Sequence, residues 1–179
     1  MTERLVPTIL TARLKLRAHV AADFDVLADH WRHPDVIRFT GGNERSLQDV
    51  WTNNIMRNRG LWQVLGYGYW LVEDRRTGEF VGEVGFADFH RDSEPRFWNV
   101  PESGWVIAPA HFGKGFASEA VKAMHDWFDE VCDAEKSVCI IDDENAASKR
   151  IAAKIGYMQK GTVLYRGEEV CFFERTRRS

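Results

Sequence analysis

The chain has 179 residues, a length that fits one domain with a sizeable core. Its hydrophobic fraction of 44% and charged fraction of 28% are ordinary for a globular protein, and the net charge of -3 gives no electrostatic reason to bind nucleic acid or an anionic membrane. Three unclustered cysteines, at positions 132, 139 and 171, argue against a disulfide framework or a zinc site and suit a reducing cytosol. Residues 1–4 contain no apolar signal core, so we expect one cytoplasmic domain over residues 1–179.

The first part of the chain predicts a strand and then a helix. Residues 13–19 alternate apolar and polar side chains, as a half-buried strand does. Asp23 has the position of a cap for a helix over residues 23–32, because Phe24 and the apolar residues after it recur at helical spacing. The His33-Pro34 pair is expected to end this helix.

A second helix and a hairpin follow. Ser46 and Asp49 have the spacing of a capping box and predict a helix over residues 46–59, ending near Gly60. Farther on, two β-rich segments are separated by Arg-Arg-Thr-Gly at 75–78, which predicts a hairpin.

The second half of the chain predicts a β-α-β unit and a closing hairpin. Residues 92–101 are polar and predict a loop, and residues 104–108 predict a buried strand. The apolar positions from 117 to 131 lie on one face of a helix of about four turns. The remaining segments are expected to form a strand at 137–141, a helix at 145–155, and strands at 158–163 and 169–175. The sequence therefore predicts a mixed α/β fold.

Two glycines separate the 104–108 strand from the helix that follows it. Gly113 and Gly115 flank Lys114, and residues without a Cβ atom allow a sharp turn and a close approach of a ligand to the backbone. The first amides of a helix are unpaired, and the helix dipole favours negative charge beside them. This arrangement predicts an anion site for a phosphate or pyrophosphate.

Two common phosphate-binding loops do not fit this segment. A Walker A loop requires glycine where the chain has Ala108, and serine or threonine where it has Gly115. A dinucleotide fingerprint requires a third glycine where Ser118 stands, so a nucleotide-binding oxidoreductase is disfavoured.

The segment Phe-Gly-Lys-Gly-Phe-Ala-Ser-Glu-Ala at 112–120 resembles the pyrophosphate loop of the Gcn5-related N-acetyltransferases (GNAT). Within that family it resembles the branch that includes the ribosomal-protein N-terminal acetyltransferases (RimJ/RimL-like), whose loop commonly reads Trp-Gly-Lys-Gly-Tyr-Ala-Thr-Glu-Ala. Two more matches occur in family order. Residues 10–17 resemble the opening Thr-x-Arg-Leu-x-Leu-Arg strand, and residues 143–157 resemble the Asn-x-x-Ser…Lys-Leu-Gly-Phe segment.

The resemblance implies a GNAT fold, which is a central mixed sheet of six to seven strands flanked by about four helices, with parallel strands 4 and 5 splayed apart. It also implies acetyl-CoA as co-substrate, no metal, an amine acceptor and, as is frequent in the family, a homodimer. The pyrophosphate would lie on backbone amides of the loop and the thioester along the strand edge. The cofactor-binding residues implied are Val106, Ile107, Ala108, Phe112, Gly113, Lys114, Gly115, Phe116, Ala117, Ser118, Asn145 and Ser148.

Three of these residues have ordinary structural alternatives. Lys114 either adds charge to the site or is a solvated loop lysine. Ser118 either contacts phosphate or is a first-turn residue without a ligand. Asn145 either pairs with the pantetheine amides or caps the helix that follows it.

The reaction implied is direct attack of an amine on the thioester, for which a base must remove a proton from the ammonium. Glu102 matches the family's acidic position before the Gly-aromatic pair and is the candidate base, with a water-exposed strand-end carboxylate as the alternative. Glu83 and His111 are weaker candidates. Many family members supply a tyrosine as the acid for the thiolate, but this chain has Ala152 there, and Ser148 is the nearest matching alternative, if it is not merely a helix-surface or capping serine.

The acceptors of this branch include protein N-termini, free amino acids, polyamines and aminoglycosides, so the resemblance leaves the acceptor open. It also leaves open a second class of function, a CoA-binding regulatory domain without catalytic activity, because the usual tyrosine is absent.

Overall fold

The computed structural model describes residues 5–177, and its central element is a mixed sheet of nine strands. The spatial order is β1-β2-β3-β4-β6-β7-β9-β8-β5, and β6 and β7 are the parallel pair among antiparallel neighbours. Strands β1 and β5 have two residues each and lie at the two edges, so seven longer strands form the body of the sheet, as expected. The strands are β1 Ile9–Leu10, β2 Leu14–Arg17, β3 Tyr69–Asp74, β4 Phe80–Ala87, β5 Ser93–Glu94, β6 Glu102–Ile107, β7 Lys136–Ile141, β8 Met158–Tyr165 and β9 Glu168–Thr176.

Helices cover both faces of this sheet. Alternate residues of β3 show the division, because Leu71 packs with the apolar residues of the first helices whereas Trp70 and Val72 belong to the core that includes α5. The helices are α1 Phe24–Trp31, α2 Pro34–Ile37, α3 Leu47–Val50, α4 Arg57–Leu65, α5 Phe116–Val131 and α6 Ala146–Ile155, and a π-helical segment Trp51–Met56 joins α3 to α4. Within the described residues, no helix has both the length and the apolar character to span a bilayer. The expectation about residues 1–4 lies outside the described part of the chain.

Two details of the predicted helices are corrected. Asp23 directly precedes α1, but its carboxylate does not cap the helix; it accepts two hydrogen bonds from Arg17 at 2.8 Å and one from the Val20 amide at 2.7 Å. Gly60 does not end the second helix, which continues to Leu65. A glycine inside a helix costs only about 1 kcal/mol, and burial of Trp62, two residues later, offsets that cost.

The capping box that opens the second helix is present. The Asp49 amide donates to Ser46 Oγ at 3.1 Å, and the Ser46 amide donates to the Asp49 carboxylate at 3.3 Å. The side chains of these two residues therefore satisfy helix amides that would otherwise be unpaired.

The parallel strands β6 and β7 separate almost as soon as they meet. They pair at one position, Glu102 opposite Val138, where the Val138 amide donates to the Pro101 carbonyl at 2.9 Å. On its other side β6 pairs with β4 along its whole length, from Glu102 to Ile107. The predicted splaying of the two parallel strands is confirmed, and it leaves one edge of β6 open.

Candidate active site

The glycine turn before α5 leaves the helix amides uncapped. Gly113 and Gly115 have φ angles of 74° and 79°, which are in the left-handed region that disfavours side chains with a Cβ atom. Gly115 is the residue directly before α5, and no side chain caps that helix. The amides of its first turn are thus left for a ligand, as the sequence predicts, and Phe112 and Lys114 are exposed at the turn.

The strand motif near the start of the chain braces this turn. Arg13 Nε donates to Glu119 Oε2 at 2.7 Å and Arg13 Nη1 donates to the Lys114 carbonyl at 2.9 Å, while the guanidinium carbon lies 4.6 Å from the centre of the Phe116 ring. The Thr11 hydroxyl donates to the other oxygen of Glu119 at 2.6 Å. Sequence reasoning found both motifs but missed that one of them holds the other in place.

The charge of Glu119 is balanced within this clamp. Burial alone would raise the pKa of Glu119, but hydrogen bonds from Thr11 and Arg13 hold it below its ordinary value. The carboxylate is therefore ionised and paired at neutral pH, so it does not oppose an anion at the helix N-terminus.

A cavity of about 180 Å³ between α5 and α6 places Ser118 beside a groove. Ser118 shares the lining with Lys122 of α5 and with Ile151 and Lys154 of α6. Asp126 also lines the cavity and compensates the charge of Lys122 by an ion pair, and Ser118 faces the cavity from the first turn of α5.

The open edge of β6 presents backbone groups from alternate residues. The Ala108 amide donates to the Val81 carbonyl of β4 at 2.8 Å, so it is used inside the sheet. Because successive residues of a strand direct their N–H and C=O groups to opposite sides, the backbone groups of Val106 also face β4. Those of Trp105 and Ile107 face the gap toward β7. Of the expected range 106–108, the Ile107 amide is therefore the group available to a thioester carbonyl. The backbone groups of Trp105, outside that range, are also available at this edge.

The start of α6 lies across the gap from β6. Trp105 Nε1 donates to Ser148 Oγ at 3.3 Å, so Ser148 reaches the strand that carries the open edge. Asn145 Oδ1 accepts a hydrogen bond from the Ser148 amide at 3.0 Å, which is the capping role. The structure thus brings Ser148 to the gap and places Asn145 as the N-cap of α6.

Glu102 is buried and paired with an arginine. The residue is 5% exposed and its carboxylate accepts two hydrogen bonds from Arg91, at 2.7 and 2.8 Å, so the interpretation of Glu102 as a water-exposed carboxylate is wrong. Arg91 also donates to the Tyr165 hydroxyl at 2.7 Å. Burial alone would lower the pKa of Arg91, but the hydrogen bonds and charge of Glu102 raise it overall.

Glu83, one of the weaker candidates for the base, is saturated with hydrogen bonds. It is 1% exposed, and burial alone would raise its pKa, but its partners hold the pKa below the ordinary value. The partners are His19 Nε2 at 2.7 Å, Trp31 Nε1 at 2.5 Å, Asn54 Nδ2 at 2.9 Å and Asn58 Nδ2 at 3.1 Å. Such a carboxylate accepts a further proton poorly, and its contacts anchor the helices to β4.

The other weaker candidate, His111, is buried beside the sheet. Its Nε2 lies 3.1 Å from the Phe80 carbonyl, which occupies that ring nitrogen. His111 is therefore held away from the open edge of β6.

Sequence reasoning missed Tyr69, whose hydroxyl lies against β6. Tyr69 belongs to β3, and a Cβ atom at Gly104 would overlap its hydroxyl, just as a Cβ atom at Gly85 would overlap its main chain. These two strand glycines clear a path for the phenol across the sheet, and glycines inside strands were the available signal. Burial raises the pKa of Tyr69, followed in effect by the charge of Glu102, so the hydroxyl is neutral at pH 7.

Among residues 5–177, no group of three or more His, Cys, Asp or Glu side chains is arranged to hold a metal ion.

Comparisons with known proteins agree with this geometry. The family model described as the acetyltransferase (GNAT) domain matches residues 13–158. The curated protein YkkB of Bacillus subtilis (strain 168), described as uncharacterized, is 32% identical over 174 residues, which is 93% of this chain and 94% of YkkB.

Two solved structures are also similar. A chain described as a GnaT-family acetyltransferase from Bordetella pertussis has a TM-score of 0.85 at 29% identity, and the match covers 96% of this chain and 100% of that one. The ribosomal L7/L12 α-N-protein acetyltransferase RimL, solved in complex with coenzyme A, has a TM-score of 0.76 at 17% identity, with 95% and 98% covered. At that identity the RimL match shows the fold alone.

Proposed function

Because the chain belongs to the acetyltransferase (GNAT) domain family, we propose that it transfers the acetyl group of acetyl-CoA to a primary amine by direct attack on the thioester. The observation that carries this proposal is the open edge of β6, which begins after the single β6–β7 pairing at Glu102 and lies beside an uncapped helix N-terminus. An open strand edge offers amides to a pantetheine chain and a thioester, and the uncapped helix offers amides to a diphosphate.

In this proposal the cofactor is held mainly by the backbone. The pyrophosphate lies on the amides from Gly113 to Ser118, with Arg13 bracing the turn from behind. The thioester carbonyl accepts a hydrogen bond from the Ile107 amide. One such bond to the oxyanion of the tetrahedral intermediate contributes about 3 kcal/mol to lowering the barrier.

The two proposed proton transfers, from the amine and to the thiolate, occur on opposite faces of β6. Glu102 and Gly104 alternate with Ser103 and Trp105, so the first pair faces Tyr69 and the second faces α5 and α6. The amine would arrive on the Tyr69 face, where Glu102 is the proposed base, acting through water or Tyr69. The departing thiolate would lie on the other face, where Ser148 is the proposed donor.

The ion pair with Arg91 limits how Glu102 can act as a base. Both oxygens accept from Arg91, so the carboxylate can take a proton only at the lone pairs that the guanidinium leaves free. A thiolate leaves without a dedicated acid when its pKa is near 8.5, so Ser148 is the less critical of the two residues.

A second candidate function is a CoA-binding domain without turnover. Two observations favour it: Ala152, in place of the family's tyrosine, is fully buried, and Glu102 is tied to Arg91. Incubation with acetyl-CoA and a panel of amines, followed with a thiol reagent, separates the two functions. Sustained release of free CoA thiol with at least one amine supports the enzyme, whereas CoA binding in calorimetry without thiol release for any amine supports the binding domain.

Two further parts of the proposal concern the setting of the activity. All three cysteines are free, in keeping with the reducing cytoplasm proposed from their spacing. A homodimer stays a prediction of the family resemblance, which sedimentation velocity would test.

A further inference from the structure

The face of the sheet proposed to receive the amine carries an excess of arginine. Arg45, Arg57 and Arg91 each interact electrostatically with the Tyr69 phenol and are called the arginine cluster below. The guanidinium carbons of Arg57 and Arg91 lie 5.0 and 4.6 Å from the centre of the Phe89 ring, and that ring lies 6.3 Å from the ring of Tyr69. Two cations thus share one aromatic ring beside the proposed reaction centre.

The charges of the cluster are unequally compensated. Arg91 forms an ion pair with Glu102 at 2.7 Å. Among residues 5–177, no carboxylate oxygen lies within 4 Å of Arg45 or Arg57 to form an ion pair, and the buried Nε of Arg57 has no hydrogen-bond acceptor. Arg45 stacks on Trp31, 3.5 Å from the ring centre, and donates to Asn54 Oδ1 at 2.9 Å, both of which are uncharged partners.

Arg45 and Arg57 are half-buried, and neither is in direct contact with a carboxylate of the described residues. Desolvation lowers the pKa of Arg57, and it lowers the pKa of Arg45 to about 10, so both remain charged at neutral pH. Glu83 attracts both cations without forming an ion pair with either, so a bound carboxylate that matches the guanidinium fork would supply the direct partner that they lack. The same cations repel a second ammonium group on the acceptor.

We propose that the acceptor is a primary amine that also carries a carboxylate, which binds at the arginine cluster while the amine faces the open edge of β6. This inference rests on the proposed acetyl transfer and adds the substrate class to it. The carboxylate has two possible sources, a free amino acid or an acidic residue next to a peptide N-terminus, and both present the same chemistry to Arg57.

Matched acceptor pairs test the inference. Glycine, β-alanine and 4-aminobutyrate would be compared with their amides and with 1,3-diaminopropane, by the rate of CoA-thiol release. We expect kcat/KM for the best carboxylate to exceed that of its amide by about 10-fold or more, and that of the diamine by more, because a hydrogen-bonded ion pair is lost in each comparison. The amide has the less basic amine, so a pocket indifferent to the carboxylate would favour the amide at neutral pH.

Two peptides distinguish the source of the carboxylate. An Asp-Ala-Ala amide and an Asn-Ala-Ala amide, both with free N-termini, would be assayed beside the amino acids. Preference for the Asp peptide over both the Asn peptide and the amino acids assigns a peptide acceptor, and preference for the amino acids over both peptides assigns a free amino acid. Equal rates for the Asp and Asn peptides, both above those of the amino acids, overturn the inference.

The variant Arg57→Met connects the preference to the cluster. It should raise KM for the carboxylate acceptor about 10-fold, with a change of less than about 3-fold for the matching amide. Arg59→Met, an exposed arginine on the same helix, is the control and should change neither value. Arg57→Lys should give an intermediate KM, because lysine keeps the charge and loses the planar fork.

Stability separates a ligand-binding role from a structural one. Removal of a half-buried cation that forms no ion pair should leave Tm unchanged or raise it, whereas loss of an arginine that holds the fold together would lower Tm. Equal or faster turnover of amides or of the diamine in the wild-type protein overturns the inference and leaves the proposed acetyl transfer intact. Absence of thiol release with every acceptor, with CoA still bound, instead contradicts the proposed function itself.

Discussion

At the scale of single residues, substitution of Glu102 gives the most direct test of the proposed chemistry. Glu102→Gln keeps the shape of the side chain and one acceptor for Arg91 but cannot take a proton at neutral pH. We expect kcat to fall by at least about 10-fold, because a positioned base contributes 10²–10⁴-fold, while KM for acetyl-CoA stays near the wild-type value. Steady-state kinetics measure both parameters. Glu94→Gln, in the exposed edge strand β5, is the matched control, and full activity of Glu102→Gln from pH 6 to 9 removes Glu102 as the base.

Tyr69 carries a separate prediction, because its role depends on the hydroxyl alone. Tyr69→Phe keeps the ring that crosses Gly85 and Gly104 and removes the donor that lies over β6. We expect kcat to fall about 10-fold with little change in Tm. Tyr67→Phe, on the adjoining loop and packed against Phe128, is the control. Equal kcat values for the two variants would remove Tyr69 from the proton path.

Glu83 makes a prediction about stability against pH. Its folded pKa lies below the ordinary value of 4.5, so the stability it contributes is present above that value and is lost as pH falls through the folded pKa. We expect Glu83→Gln to lower the free energy of unfolding at pH 7 by about 1–3 kcal/mol, because buried donors lose their charged acceptor. The difference in unfolding free energy between wild type and variant should shrink as the pH falls below 4.5. Urea titrations at pH 7 and pH 3.5 measure it, and an equal difference at both pH values contradicts the assignment.

At the scale of elements, the contact between the opening strand motif and the start of α5 decides the shape of the cofactor turn. Arg13→Ala removes the guanidinium hydrogen bonds to Lys114 and Glu119 and leaves the Glu119 carboxylate without its cation beside the helix N-terminus. We expect the Kd for CoA in calorimetry to rise by about 10-fold, since both the geometry and the local charge become less favourable to an anion.

Lys15→Ala is the control for this prediction, because Lys15 lies two residues away and pairs with Glu73 at 3.5 Å on the sheet. Its Kd for CoA should match that of the wild type. An unchanged Kd for Arg13→Ala would mean that the turn keeps its conformation without the clamp.

At the scale of the whole molecule, we expect the gap between β6 and β7 to bind CoA but not NAD. A ligand present at 100 times its Kd stabilises a folded protein by about 2.7 kcal/mol, which for a chain of this size raises Tm by roughly 5–10 °C. We expect this rise with CoA and no rise with NAD at the same concentration, measured by differential scanning calorimetry. Stabilisation by NAD and not by CoA would contradict the assignment of the glycine turn.

Most of the fold was predictable from local patterns. Helical spacing, the capping box at Ser46 and the hairpin residues 75–78 are short-range signals, and each corresponds to an element in the structure. The errors occurred where tertiary contacts outweighed local preference: Gly60 lies inside α4 because Trp62 is buried beside it, and Asp23 turns from its helix to Arg17.

The sequence alone determined the family, the glycine turn and the uncapped N-terminus of α5, because each of these depends on a motif whose residues are close together in the chain. The tertiary structure alone decided that Arg13 braces that turn, that Glu102 is tied to Arg91, and that Tyr69 with the arginine cluster occupies the acceptor face. Such contacts join residues far apart in sequence, and the pairing of strands in the sheet selects them. Local propensity does not encode which distant side chains that pairing brings together.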